Sequence, residues 1–425
     1  MTKKTVLILG AGLPQIPAIA RAHRLGYKVL CPDINPAAPG LSMCDYPLPG
    51  VSTHNPDEIL NALRGLQKRS VLIDGALTMA VEASFSSARV CEALGLPSVS
   101  VATADQATNK LERLRAWYAA GVSCPKFGVA DNAEEAARLA GEIKLPVVLK
   151  PLHRAGAQGV VRCDTEEEIH AMFDFTMGHA KGQVLIEEFI EGTEHSSESL
   201  VLEGRVYTTG FSDRNYDTKY KYPPHLLENG DTTPTSLDDD VYRKALSEVE
   251  KAIKALGIDF GPAKGDILVT PEGKVYILEM ATRLSGDYFC GYTTPYNNGT
   301  DIISAALQQC VGDPVNEELL DWQYNRGVAL RYFWPDPLPG RIVSIQGLEE
   351  CRNLPGVRFV TWEPYWIDKQ INIGTLLTKP TSHGERVGCV MATGETRQDA
   401  VELAEYVVKS VTIKVESVAK DIPNG

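Results

Sequence analysis

Apolar residues in the first hundred positions come in short unbroken runs, and the segments between them carry helical spacing. "TVLILGAG" leads into "PQIPAIARAHRLG", and "YKVLCPD" is followed by a loop containing "NPAAPG". A helix around "PDEILNALRGL" precedes a strand in "SVLIDGA" and a helix over "MAVEASFSSARVCEALG". Unbroken apolar runs suit strands buried on both faces, and the intervening helices supply the crossovers that a parallel sheet requires. The pattern predicts an open parallel α/β sheet over residues 1–105.

Beyond residue 105 the pattern changes. One helix is expected over "DQATNKLERLRAWYAAG", then "VSCPKFGVA", a further helix, and the strand–loop–strand "LPVVLKPLHRAGAQGVVRC". "GQVLIEEFIEGTEHSSESLVLEGRVYTTGFSD" reads as antiparallel strands, and a long polar stretch interrupts it before the helix "VYRKALSEVEKAIKALG". "AKGDILVT" and "KVYILEM", joined by "PEG", form a hairpin that completes a mixed domain over 106–318. An α+β domain is expected over 319–425, with strands "RGVALRYFW", "VTWEPYWI" and "VGCVMATG" and a closing helix "TRQDAVELAEYVVKSV". No internal repeat or low-complexity segment is found.

A chain of 425 residues is too long for one small core, in agreement with this division. Its net charge of -13 argues against nucleic acid as a partner, because phosphate backbones are bound by clustered Lys and Arg. No stretch approaches the roughly 20 apolar residues of a membrane span, so no membrane partner is expected. The start, "MTKKTVLILGAG", is too short in its apolar part for a secretion signal. Nine cysteines without CxxC pairing suggest neither a zinc site nor a disulfide framework, and the cytoplasm is the expected address.

Three stretches after residue 105 carry chemistry. In "VVLKPLHRAGAQGV", Lys150 leaves a strand and is followed by small residues Gly156, Ala157 and Gly159, which let backbone N–H groups approach anionic oxygens. The pattern is not a P-loop, since a strand follows the loop rather than a helix; an ordinary hairpin with an exposed lysine reads equally well. "VLIEEFIEGTEH" places Glu187, Glu188 and Glu194 around an extended segment whose backbone could pair with an adenine edge; alone, a solvated acidic turn explains it better. In "GDILVTPEGKVYILEMATR", Asp266 and Glu279 lie on the two arms of a hairpin, where paired carboxylates suit Mg2+ shared with phosphates. Arg283 follows within reach of a transferring phosphoryl group. A carboxylate inside the apolar run "VYILEMA" is costly unless paired or metal-bound.

In this order the motifs resemble the ATP-grasp superfamily over nearly the whole chain. The resemblance implies a pre-ATP-grasp α/β domain, a central ATP-grasp fold with a mobile lid at about 122–186, and a C-terminal α+β domain. ATP with Mg2+, or Mn2+ in its place, is the implied cofactor set. Lys110 in "ATNKLERL" and Lys150 would hold phosphates beneath Gly156–Gly159. Glu187 and the backbone of Glu188 and Ile190 would receive adenine, Glu194 the ribose, and Asp266 and Glu279 the metal. Arg283 would neutralise the phosphoryl group. Many members carry an asparagine two residues after the second metal carboxylate; here Ala281 stands there.

"EMATRLSGD" with "NNGTDIISAAL", and the C-terminal "LPGRIVSIQGLEEC" to "DAVELA", are similar to amino-acid ligases, with a domain order like that of biotin carboxylase. By the latter comparison Arg331 falls on a catalytic arginine; a strand-end salt bridge is the equal alternative. The resemblance implies carboxylate–amine ligation through an acyl phosphate, small-molecule acid and amine substrates, and a homodimer. Ser285, Gly286, Asp287 and the insertion at about 213–235 are expected to form the substrate pocket. There Asp287 would meet an amine or else cap a helix, and His225 would act on the amine or else face solvent.

Three other readings compete: a bicarbonate-using carboxylase or purine-pathway ligase on the same fold, a nicotinamide oxidoreductase, and a non-catalytic nucleotide-binding regulator. Against the oxidoreductase, the dinucleotide fingerprint wants a third glycine where Gln15 stands. The turn Gly10–Gln15 is instead expected to border the acceptor's site.

Overall fold

A computed structural model of the chain describes residues 3–68, 70–218, 221–361 and 371–417. Its first sheet is parallel, with β1 (Thr5–Leu9), β2 (Lys28–Asp33), β3 (Tyr46–Pro49) and β4 (Gly75–Thr78) in the order β3-β2-β1-β4. Helices α1 (Ile16–Arg24) and α2 (Pro56–Gln67) connect strands of this sheet, α3 (Ser84–Leu94) follows its last strand, and all three pack on it. All five residues of β1 are buried, as its apolar run predicts.

Two boundaries differ from the sequence pattern, and both matter for function. The fourth strand begins only at Gly75, where the chain passes so close to Cys310 that a Cβ would sit 2.0 Å from its carbonyl oxygen. The helix expected from Met79 begins at Ser84. Residues 79–83 are a loop, pinned by reciprocal backbone bonds from Ala80 N–H to Leu284 O and from Leu284 N–H to Thr78 O, both 3.0 Å.

The single helix expected after residue 105 is two helices, α4 (Val101–Thr108) and α5 (Lys110–Ala119). Asn109 is extended at φ -84°, ψ 113°, and its side chain accepts from the N–H groups of Leu111 and Glu112. Asn is a favoured N-cap, so it divides the run and makes Lys110 the first residue of α5.

A four-stranded antiparallel sheet follows, β5 (Phe127–Ala130), β6 (Val147–Pro151), β7 (Val161–Cys163) and β8 (Val184–Glu188), in the order β5-β8-β6-β7. It is backed by α6 (Ala133–Ile143) and α7 (Glu166–His179), whose apolar faces share a core with it. This is the segment expected to form the lid.

The largest sheet has eight strands. β9 (Thr193–Leu202), β10 (Arg205–Arg214), β11 (Asp231–Thr233), β12 (Gly261–Val269) and β13 (Val275–Ala281) form one half. β14 (Gly327–Tyr332), β16 (Val357–Thr361) and β18 (Cys389–Gly394) continue it, in the order β13-β12-β9-β10-β11-β14-β18-β16. Strands beyond residue 319 thus extend the central sheet. The remaining strands, β15 (Gly340–Gln346), β17 (Leu376–Leu377) and β19 (Thr412–Ser417), form a small separate sheet. Of the strand expected in "VTWEPYWI", only Val360 and Thr361 fall within the description; 362–367 lie outside the described residues.

No described helix is long and apolar enough to cross a membrane.

Candidate active site

A cleft of about 670 Å³ lies between the lid sheet, the parallel sheet's outer loops and one face of the eight-stranded sheet. Its floor is set by strand register. Asp266 and Glu279 are direct antiparallel partners on β12 and β13, so both side chains leave the same face. Ser196 donates to Asp266 Oδ1 at 3.0 Å, Lys264 ion-pairs with it, and Arg214 Nη1 approaches to 3.2 Å. Burial pushes the Asp266 carboxyl up, but Lys264 and Arg214 outweigh it and hold the group well below the usual carboxylate range. Burial acts likewise on Glu279, where Lys110 and Arg113 prevail and bring it to about 2. Two ionised carboxylates side by side are an oxygen donor set that fits Mg2+, an ion usually held by one or two carboxylates and otherwise by phosphates and water.

Beside this pair stand the expected phosphate-binding lysines. The Lys110 ammonium donates to the Arg154 carbonyl, and its N–H to Leu152 O at 3.3 Å. Burial lowers its pKa, against the pull of Glu279. Lys150 on β6 ion-pairs with Glu187 on β8, which is 3% exposed, so the residues expected at phosphate and at adenine are joined. Gly156, Ala157 and Gly159 all have φ between 59° and 71°, which curls the loop tightly. Gly156 and Ala157 line the cleft, whereas Gly159 turns under the loop, where a Cβ would lie 2.7 Å from that of His179. Glu188, Ile190 and Glu194 also line the cleft, with Val148, Leu268 and Leu278 as apolar wall. Arg214 reaches Glu194 at 3.4 Å and ion-pairs with Glu228.

At the other end Ser285, Gly286 and Asp287 form the wall. Ser285 gives its N–H at 3.1 and 3.3 Å, and its hydroxyl, to Glu198. Glu198 is a fully buried glutamate that sequence reasoning passed over. Arg283 is gripped by Glu82, with Nε 2.6 Å from Oε1. Glu82 comes from the 79–83 loop, where the sequence pattern predicts helix.

The helix-cap reading of Asp287 and the placements expected for Arg331 and His225 require correction. Asp287 caps no helix: at φ 53° it is left-handed, accepts from the Tyr332 hydroxyl and lies 3.2 Å from Arg386 Nη1. Arg331 is on the wrong face of β14. Its directly paired neighbour strand puts it with Thr232 and Ala329, toward the helix Arg397–Ser410, and Nη1 donates to Asp231 O at 3.0 Å and Thr232 Oγ1 at 3.1 Å rather than to a carboxylate. His225 neither lines the cleft nor faces open solvent; its ring packs against Phe175 at 5.3 Å.

The C-terminal part contributes His383 and Arg386 instead. His383 N–H donates to Gly156 O at 3.0 Å, and its Nε2 accepts from Glu228 N–H at 3.2 Å, so it ties the Gly156–Gly159 loop to the 213–235 insertion. Burial, then Arg386 and Arg214, hold it neutral, far below the ordinary histidine value. Arg386 lies over the Tyr332 ring at 3.8 Å. Their only sequence signal is a histidine and an arginine in the short polar run "SHGER" before an apolar strand.

The opening glycine turn does not line the cleft. Gln15 is buried and its Nε2 donates to Met79 O at 2.7 Å, which places the turn behind the 79–83 loop as a prop. Both oxygens of Asp33 are taken by backbone N–H groups, of Ala11 at 2.8 Å and Asn35 at 2.9 Å, so it serves the turn rather than a ribose.

Residues 105–318, half of the chain, match the family described as carbamoyl-phosphate synthase L chain, ATP binding domain. The chain belongs to the ATP-grasp family. Residues 331–416 match the L-amino acid ligase C-terminal domain 2, so this ATP-grasp chain also carries an amino-acid-ligase type of C-terminal part. It is 27% identical over 367 residues to uncharacterized protein y4rH of Sinorhizobium fredii, covering 85% of this chain and 72% of that one. With a D-alanine--D-alanine ligase of Geotalea uraniireducens it shares 32% over 196 residues, 45% of this chain and 61% of the relative. The L-amino acid ligase of Bacillus licheniformis has the same fold, with a TM-score of 0.81 at 21% identity over 98% of this chain and 100% of that one. ATP-grasp ligases of this family use ATP with Mg2+.

Proposed function

We propose that this ATP-grasp protein is a carboxylate–amine ligase that forms an amide or peptide bond, with an amino acid as one substrate, and releases ADP and phosphate. The observation that supports it best is the Asp266–Glu279 pair, flanked by Lys110 and Lys150 in a cleft whose far end is rich in carboxylates and arginines.

In this reading a substrate carboxylate oxygen attacks the γ-phosphorus of ATP, the bond to the β,γ-bridging oxygen breaks, and ADP leaves. The amine nitrogen then attacks the acyl carbon, gives up a proton, and the acyl C–O bond breaks to release phosphate. Lys110, Lys150 and Arg283 offset the negative charge that both steps gather, and positioning with electrostatics carries the rate. Mg2+ held by Asp266 and Glu279 would withdraw charge from the phosphate oxygens. The lid sheet, tied through Gly156 to His383, excludes the water that would hydrolyse the acyl phosphate.

A phosphate-release screen of ATP with Mg2+ against amino acids, singly and in pairs, tests the reading, with mass spectrometry of the product. Phosphate release that depends on both an acid and an amine, with an amide product, is expected. No ADP across the panel, or turnover that requires bicarbonate, would overturn it.

A further inference from the structure

Among the described residues that line the substrate end of the cleft, Asp231 is a carboxylate without a cation partner of its own. Arg283 is paired with Glu82, Arg386 with Asp287, and Arg214 with Glu228. Asp231 is left over. It sits on β11 directly across from Arg214 on β10, so both side chains leave the sheet on the cleft face. Asp231 lines the cleft, is 5% exposed, and its Oδ1 is buried without a hydrogen-bond partner.

The described cations nearby are committed elsewhere. Arg214 also reaches Glu194 and Asp266, and Arg331 meets Asp231 only at its backbone carbonyl, from the opposite face. Burial, then Asp287 and Glu228, push the Asp231 carboxyl well above its ordinary range, and Arg331 and Arg214 only partly oppose them. A buried acceptor left unpaired costs about 1–3 kcal/mol, which a ligand with a suitable donor would recover.

We propose that Asp231 receives a protonated nitrogen of a substrate, one that stays charged throughout the reaction. The inference rests on the ligase reading for what that substrate is. In such a ligase the attacking amine must shed its proton, so a fixed carboxylate suits a different nitrogen. Two sources share this chemistry: the α-ammonium of the amino acid that gives its carboxylate, and a cationic side chain on either substrate. In desolvated surroundings a charge-assisted hydrogen bond to carboxylate outweighs a neutral one.

Calorimetric titration of the full chain with ADP and Mg2+ present separates the sources. L-alanine against propionate reads the α-ammonium, and L-lysine against L-norleucine reads the side chain. In at least one pair the charged member should bind tenfold or more tighter than its neutral partner. Asp231→Asn should cut that preference below threefold and change ADP affinity less than twofold; Asp231→Ser should do the same if the amide variant misfolds. Equal binding within both pairs, or a preference that survives both substitutions, would overturn the proposal. ADP formation that requires both an acid and an amine, with no charge preference in either pair, would leave the ligase reading standing and remove this one. A charge preference lost in both variants, without ADP formation from any pair, would support the cation site and remove the ligase reading.

Discussion

Replacing Glu198 by Gln should abolish a fall in stability that the wild-type protein undergoes between about pH 4.5 and 7. Glu198 is fully buried on β9 and holds Ser285 through two N–H contacts and the hydroxyl. Burial raises its pKa, and Ser285, Arg283 and Lys264 pull it back only part of the way, to about 7 from 4.5. In that window the unfolded chain has lost the proton while the folded protein keeps it. Stability therefore drops as pH rises: the contribution is complete below about 4.5 and lost as pH passes about 7. A displacement of this size is worth about 3 kcal/mol, as an order of magnitude.

With an unfolding entropy of about 2 cal/mol/K per residue, a chain of this length has about 0.9 kcal/mol/K in all, so the effect is about 3–4 °C in Tm. The assay is a thermal melt at half-unit steps of pH, read as wild type minus Glu198→Gln. Gln mimics the protonated acid and retains an acceptor for Ser285. His383 is held neutral and gives the opposite slope on the acid side of the histidine range, but it is common to both proteins and cancels. A difference curve that stays flat within 1 °C or so would refute the reasoning.

Other outcomes follow from the same geometry. Lys150→Met should lower ATP-dependent phosphate release at least a hundredfold and cost about 3 kcal/mol by stranding Glu187; adding Glu187→Leu should restore the melting temperature without the activity. Chelation by EDTA should stop phosphate release and excess Mg2+ restore it, while Asp266→Asn should stay inactive at any Mg2+ concentration tested. Arg386→Met should raise KM for the acid or amine tenfold or more. Arg331→Met should lower the melting temperature but leave both KM values within about threefold, since its side chain faces the helix side of β14; steady-state kinetics of the two variants side by side decides.

Much of the lysine and carboxylate end of the cleft was legible in the sequence because its signals are local. A lysine leaving a strand before small residues, two glutamates at a strand end, and carboxylates on both arms of a hairpin each declare themselves within a dozen residues. The substrate end is assembled from contacts between distant segments. Glu82 meets Arg283, Glu198 meets Ser285, and Asp287 meets Arg386, over separations of 201, 87 and 99 residues. Nothing local marks such pairs. Arg331 shows a second limit. All six residues of β14 are buried, so apolar alternation, the usual guide to which way a side chain points, is missing from "GVALRY".

Glu194, Ser196 and Glu198 occupy alternate positions of β9 in "EHSSES", and alternate positions of a strand share a face. Their partners on β12 are Leu268, Asp266 and Lys264, so the three polar residues step from the apolar wall of the cleft, past the Asp266–Glu279 pair, to the Ser285 loop. A single strand thus sets the axis along which a phosphoryl group would pass from nucleotide to acid. A one-residue slip of β9 would turn Glu194 and Ser196 away from the cleft and Glu198 away from Ser285 together, whereas loss of one side chain would disturb one station only. Glu194→Gln should therefore act on KM for ATP and Glu198→Gln on KM for the acid or amine. Steady-state kinetics in which both variants shift the same constant would show that the line does not divide the cleft this way.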